Sequence, residues 1–214
     1  MTQINSPQRR FHMIKIKDLT YSYSGTPIIA DLSFSFLSSK IYTITGENGS
    51  GKTTLLRLIL GLLQPERGSI QFEEKAIISY LPDHNGLYED LSITDNIKFR
   101  LALYKQSFNA IQNEYYSLLN KYHLYNKRDE PISSLSLGMK KKAAIIATIL
   151  VHANVYIFDE PTGGIDHEAK AEIISLFKEM DLKQKCILLV THDEELLSQI
   201  PSVLLKMQEG RLME

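Results

Sequence analysis

Apolar positions along the chain fall into two patterns. From Met13 to Thr45 they alternate. Ile14 and Ile16, then Leu32, Phe34 and Phe36, share one face on either side of the turn-like Ser24-Gly25-Thr26-Pro27, which predicts an antiparallel β-layer. The runs Ile41-Tyr42-Thr43-Ile44-Thr45, Val155-Tyr156-Ile157-Phe158 and Cys186-Ile187-Leu188-Leu189-Val190 are short and unbroken, as buried strands are. Ser69 to Phe72 and Ala76 to Tyr80 predict two more short strands. Helical runs lie between them: one from Lys52 that ends at Gln64-Pro65-Glu66-Arg67-Gly68, helices dense in Tyr, Leu and Asn from Leu91 to about Tyr125, a long apolar helix from Lys140 to Val151, one from His167 to about Met180, and one opening at Asp193. Strands alternating with helices predict an α/β fold.

The organisation read from these runs is a single unit over 13–214, with a helical subdomain at about 91–150 inserted into its core. A polar, flexible N-terminal arm over 1–12 precedes it, and Met13 is an alternative start. The aromatics of the insertion, among them Phe99, Tyr104, Tyr115 and Tyr122, are read as packing, with a partner-docking face as the alternative. Composition changes this picture little. The 214 residues are 43% hydrophobic, enough for a proper core, and the formal net charge of -1 carries no global basic field of the kind that marks nucleic-acid binding. The single cysteine, Cys186, is expected to be a buried small hydrophobe. No apolar run approaches the roughly 18 to 20 residues of a membrane-spanning helix, and the first twelve residues do not form a secretory signal, so cytoplasm is the default.

The chemistry is concentrated where strands end. After Thr45 come Gly46-Glu47-Asn48-Gly49-Ser50-Gly51-Lys52-Thr53-Thr54 and then a helix, the strand–turn–helix context of a phosphate-binding loop. Its glycines let backbone N–H groups turn inward around an anion, and the helix dipole points the same way. Lys52 is expected to reach the β- and γ-phosphates, and the Thr53 hydroxyl to coordinate Mg²⁺. The strand from Val155 ends in Asp159-Glu160. Asp159 is placed to hold Mg²⁺ through its water shell and Glu160 to polarise a water for attack on the γ-phosphate. His192, after the strand from Cys186, either donates to a phosphate oxygen or stands idle in solvent. Tyr23, with Tyr21 as competitor, is an aromatic able to stack on a nucleobase or simply a strand tyrosine. Ser133 to Met139 is a Ser/Gly loop before a helix, a second potential anion site or an ordinary N-cap, and Lys140-Lys141-Lys142 is expected to be a solvated face, with a functional contact as the alternative.

The order of these parts resembles the nucleotide-binding subunit of ATP-binding-cassette (ABC) transporters from Met13 to the C-terminus. The resemblance implies a P-loop NTPase (RecA-like) core with an antiparallel β subdomain and an inserted α-helical subdomain. It identifies Gly46 to Thr53 with Walker A, Val155 to Glu160 with Walker B and its catalytic glutamate, Gly164-Ile165-Asp166 with the D-loop, His192 with the switch histidine and Tyr23 with the adenine-stacking aromatic. Leu135 to Met139 is similar to the signature Leu-Ser-Gly-Gly-Gln, by which Ser136 and Gly138 complete the site of an opposite subunit. The implied activity is ATP hydrolysis with Mg²⁺. The implied partners are a second cassette, identical or not, and transmembrane permease subunits that hold the chain at the inner face of the cell membrane.

Two departures stand out. Asp83 occupies the hinge position where the family usually has Gln, and its carboxylate can approach Mg²⁺. In the signature, Leu137 replaces the first Gly and Met139 replaces Gln. The resulting Ser-x-Gly-Met-Lys form looks like that of small exporter-type cassettes, which makes export the expected direction. The alternatives are a soluble ABC ATPase outside transport, a weakly hydrolysing regulatory cassette, and a small-molecule kinase built on the same phosphate loop.

Overall fold

The computed structural model describes residues 11–214. The expected flexible arm therefore lies outside the described residues except at its end, where the first strand already begins at His12 and Phe11 exchanges hydrogen bonds with Ser38.

Two sheets organise the chain. β1 (His12–Tyr23), β2 (Thr26–Leu37) and β4 (Arg67–Phe72) form an antiparallel sheet in the order β2-β1-β4, in which Ile14 faces Phe36, Ile16 faces Phe34 and Leu19 faces Leu32. β5 (Ile78–Leu81), β6 (Val155–Asp159), β7 (Cys186–Val190), β3 (Lys40–Thr45) and β8 (Val203–Gln208) are parallel neighbours in that order, and β9 (Arg211–Met213) closes the edge antiparallel to β8.

The unbroken runs alternate their side chains between two cores. Val155 and Ile157 of β6, and Cys186, Leu188 and Val190 of β7, join the antiparallel sheet and α1 (Lys52–Ile59) on one face. Tyr156 and Phe158, with Ile187 and Leu189, face the helices on the other. These are α2 (Ile93–Leu103), α3 (Phe108–Lys121), α4 (Leu137–Ile149), α5 (His167–Glu179) and α6 (Glu194–Gln199). A strand covered on both faces has no solvent side, so its sequence carries no polar alternation. Cys186 is fully buried, and burial pushes its thiol up to about 12.

The three-lysine run differs from its expected solvated face. α4 starts three residues earlier than the apolar run suggests, at Leu137, and Lys141 and Lys142 are buried within it at 3% and 8% exposure. Lys142 pairs with Glu172 of α5 and Lys140 with Glu89. Of the aromatics in the helical insertion, Tyr115 and Tyr122 are core, while Phe99 stays exposed against Tyr88.

Candidate active site

Because β5, β6, β7 and β3 run parallel and adjacent, their carboxyl ends lie side by side. Asp83, Asp159 with Glu160, Thr191 with His192, and the loop from Gly46 to Lys52 therefore emerge along one sheet edge, where open α/β sheets bind ligands. A cleft of about 360 Å³ at this edge is lined by Tyr23, Asn48, Gly49, Gly51, Lys52, Thr53, Thr54, Asp83, Asp159 and Glu160.

The loop is tight. At Gly46 (φ 148°) a Cβ would stand 2.4 Å from the Met207 carbonyl oxygen and 2.8 Å from Ser50 Oγ, so only glycine lets β8 pass this close. Gly51 occupies the N-cap of α1 in the left-handed region, and no side chain caps that helix. Lys52 folds back over the loop, donating from Nζ to the carbonyls of Gly46 (2.7 Å) and Glu47 (2.9 Å). Tyr23, rather than Tyr21, reaches the cleft; it is 40% exposed and meets Tyr21 edge-to-face with centroids 5.0 Å apart.

The carboxylates differ in setting. Asp159 is 6% exposed, and burial, followed by the charges of Asp83 and Glu160, pushes it up to about 6 against the pull of Lys52 and Lys141. Tyr80 beside it is pushed up to about 12 by burial and by the charges of Asp159 and Asp83. Asp83 is exposed, and a hydrogen bond from His84 holds it below the usual carboxylate range. Glu160 sits at a left-handed φ of 46°, its amide donating to the Val190 carbonyl at 2.9 Å. Its side chain is held at both oxygens: Thr191 Oγ1 donates to Oε2 at 3.2 Å, and His192 Nδ1 lies 2.8 Å from Oε1. A carboxylate fixed in this way at the mouth of a cleft is oriented for general-base work, with the imidazole as its second support.

Among the described residues, no group of three or more His, Cys, Asp or Glu is arranged to hold a metal by itself. The donors present, the Thr53 hydroxyl with Asp159 and Asp83, suit a hard cation that keeps several waters and takes further oxygens from phosphate. The negative charge of Asp83 and Glu160, which adds to burial in raising Asp159, is what such a cation would neutralise.

Ser136, Gly138 and Asp166 are not in this cleft. They line a separate hollow of about 320 Å³ with His123, Met139 and Lys142. Ser136 caps α4, accepting from the Met139 amide at 3.3 Å, and Asp166 caps α5, accepting from Ala169 at 2.9 Å. Gly138 is needed for packing: its Cβ would fall 2.7 Å from that of Ala169. Leu137 is 46% exposed, and its Cδ2 lies 3.4 Å from where a Cβ on Gly164 would stand. Three cleft neighbours escape the sequence reading: Tyr80, Thr191 and Lys141. A signal for Lys141 exists, since positions 141, 145 and 148 share a helix face and both Ile145 and Thr148 are fully buried.

Fold and cleft together define a nucleotide-binding α/β ATPase of the phosphate-loop class. The family model described as "ABC transporter" matches residues 29–163, and the chain belongs to that family as the ATP-binding subunit of an ABC transporter. The zinc import ATP-binding protein ZnuC of Buchnera aphidicola subsp. Baizongia pistaciae is 32% identical over 84% of this chain and 74% of its own length. The SkfA peptide export ATP-binding protein SkfE of Bacillus subtilis is 28% identical over 94% and 88%. Among solved structures, cbiO1 from Clostridium perfringens, part of the transporter complex cbiONQ, superposes with a TM-score of 0.78 at 27% identity, covering 95% of this chain and 87% of that one. Subunits of this family hydrolyse ATP and work with transmembrane permeases. No helix among the described residues is long and apolar enough to cross a membrane.

Proposed function

We propose that the cleft binds Mg-ATP and that two cassettes, identical or not, close around it, hydrolysis then reopening them to drive a permease. The observation that carries this reading is the Glu160 carboxylate, held between Thr191 and His192 on the same sheet edge as the Lys52 loop. Lys52 exchanges the carbonyls of Gly46 and Glu47 for phosphate oxygens, while the amides of Asn48 to Thr54 surround the phosphates and Tyr23 stacks on the adenine. Thr53, Asp159 and Asp83 are the residues that would hold Mg²⁺, which supplies charge neutralisation at the phosphates when bound. Glu160 takes the proton of the attacking water, and His192 keeps that carboxylate aimed and donates toward the γ-phosphate. Ser136, Gly138 and Asp166, remote from the cleft of their own chain, serve the nucleotide of the opposite cassette, which accounts for their standing on a separate face.

The helical segment 91–150 is the part that moves against the permease, keeping the chain peripheral on the inner face of the membrane. Export is the proposed direction, on the Ser136-Leu137-Gly138-Met139-Lys140 form. The second reading, import, is favoured by the zinc-import relative, and a flux assay in vesicles with the co-purified permease separates the two. Replacing Glu160 by Gln is expected to trap an ATP-bound pair. Light scattering that finds only monomer at saturating Mg-ATP would show that this chain needs a different partner cassette.

A further inference from the structure

Lys141 stands in the second turn of α4, 3% exposed, and its ammonium donates to the carbonyl oxygens of Asp83 at 2.7 Å and Glu160 at 3.0 Å. Those two carbonyls follow the neighbouring strands β5 and β6, whereas the lysine belongs to the helix that opens at Ser136. Its chain neighbours Lys140 and Lys142 each pair with a carboxylate, while Lys141 is bonded to two neutral oxygens. Burying an ammonium is costly, and a neutral amide would serve two carbonyls with less desolvation. The charge itself therefore needs a use. Burial pulls the Lys141 ammonium below the usual lysine range, and the charges of Asp83, Glu160 and Asp159 act against that pull. Lys141 and Lys52 are the cations whose fields reach Asp159. The clamp also falls on the peptide of Glu160 at its left-handed φ, whose carbonyl further accepts from Gly163 at 3.2 Å.

We infer that Lys141 is a positioning residue: it ties the peptides of Asp83 and Glu160 together from α4 and supplies the positive charge that lets three carboxylates share one sheet edge before nucleotide and metal arrive. This rests on the reading of Asp159 and Glu160 as the hydrolytic carboxylates, and it links the helix of the signature loop to the cleft by one side chain.

The test compares K141Q with the double variant D83N/K141Q in the full chain. Without nucleotide, the wild-type melting temperature is expected to be insensitive to millimolar Mg²⁺. K141Q, left with uncompensated carboxylates, is expected to melt several degrees higher when Mg²⁺ is added, and removing one of those carboxylates in D83N/K141Q should abolish the response. With ATP, K141Q is expected to lose about tenfold or more in kcat while KM stays within about threefold. A K141Q chain whose melting ignores Mg²⁺ and whose kcat is within about twofold of wild type overturns the inference. Should K141Q not fold, K141R carries the test, because it keeps charge and donors: it is expected to match wild type in both readouts, and a folded K141R that loses hydrolysis tenfold, an estimate on the same scale, also overturns it. A wild-type chain that hydrolyses no ATP would defeat the functional reading alone, since the Mg²⁺ melting comparison needs no turnover.

Discussion

Two loops in this molecule look alike in sequence and are built differently. Gly46 to Lys52 and Ser133 to Met139 are both Ser/Gly stretches that run into a helix. At the first, the N-cap is Gly51 and no side chain caps α1. At the second, Ser136 accepts from the Met139 amide and closes the helix end with its own hydroxyl. A helix start whose first-turn amides lack a side-chain acceptor is ready for an external anion, whereas one capped from within must first give up that bond. The two stand in different settings: the uncapped loop lines the cleft with Asp83, Asp159 and Glu160, and the capped one lines a separate hollow with Lys142 and Asp166.

The sharpest way to break the contrast is to remove the charge at the uncapped loop. Lys52→Ala is expected to reduce ATP hydrolysis by roughly 100-fold or more, since a cation placed at the transferring phosphate is a large electrostatic contribution. Phosphate release from pure protein measures it, and unchanged turnover would sink the assignment of this loop.

At the other loop the largest effect is mechanical. Gly138→Val would drive a branched side chain into Ala169, already 2.7 Å from a hypothetical Cβ, so a loss of about 3 kcal/mol is expected from overpacking α4 against α5. Chemical denaturation reads it directly. A neutral outcome would mean that α5 can retreat, and that the glycine serves something other than helix contact.

Electrostatic stress sharpens the comparison next. Asp159 has its folded value pushed up to about 6 from the ordinary carboxylate value of 3.8. The folded state therefore holds this proton more tightly than the unfolded chain. The ionised carboxylate costs stability fully above about pH 6, and the cost is relieved as pH falls toward the unfolded value. Facing it are Tyr80, Asp83, Glu160, Lys52 and Lys141. Relative to Asp159→Asn, the nucleotide-free chain is thus expected to gain roughly 2 kcal/mol between about pH 7 and pH 4. Parallel stability curves for the two proteins would contradict this.

Much of this arrangement is legible in the amino-acid sequence. Runs such as Val155 to Phe158, short and rich in β-branched and aromatic residues, read as strands covered on both faces, and acidic pairs or histidines that follow parallel strands of one sheet gather at one edge. What stayed hidden depends on contacts between elements distant in sequence. A run of three lysines reads as solvated by composition, and only the packing of α4 between β5 and α5 buries Lys141 and Lys142. Gly138 reads as part of a Ser/Gly loop, but it is helical and is fixed by a neighbour 31 positions away in the chain. The raised Asp159 follows from its burial and then from the approach of Asp83, which the spacing of 76 residues conceals.

The smallest expected effect discriminates best between the two loops. Ser136→Ala removes the cap of α4 and should cost about 1 kcal/mol, the usual value for an N-cap hydroxyl. If capping were its whole role, Asp or Asn at this position would restore both stability and turnover, because each caps as well as Ser. If Ser136 instead serves the phosphate of an opposing cassette, Ser136→Asp should restore stability alone: a carboxylate caps the helix but repels a phosphate. ATP affinity of the isolated chain should stay unchanged in either variant, since Ser136 is not among the residues lining the nucleotide cleft of its own chain. Hydrolysis at high protein concentration should fall in both. Recovery of turnover in Ser136→Asp would return the signature loop to the status of an ordinary helix cap.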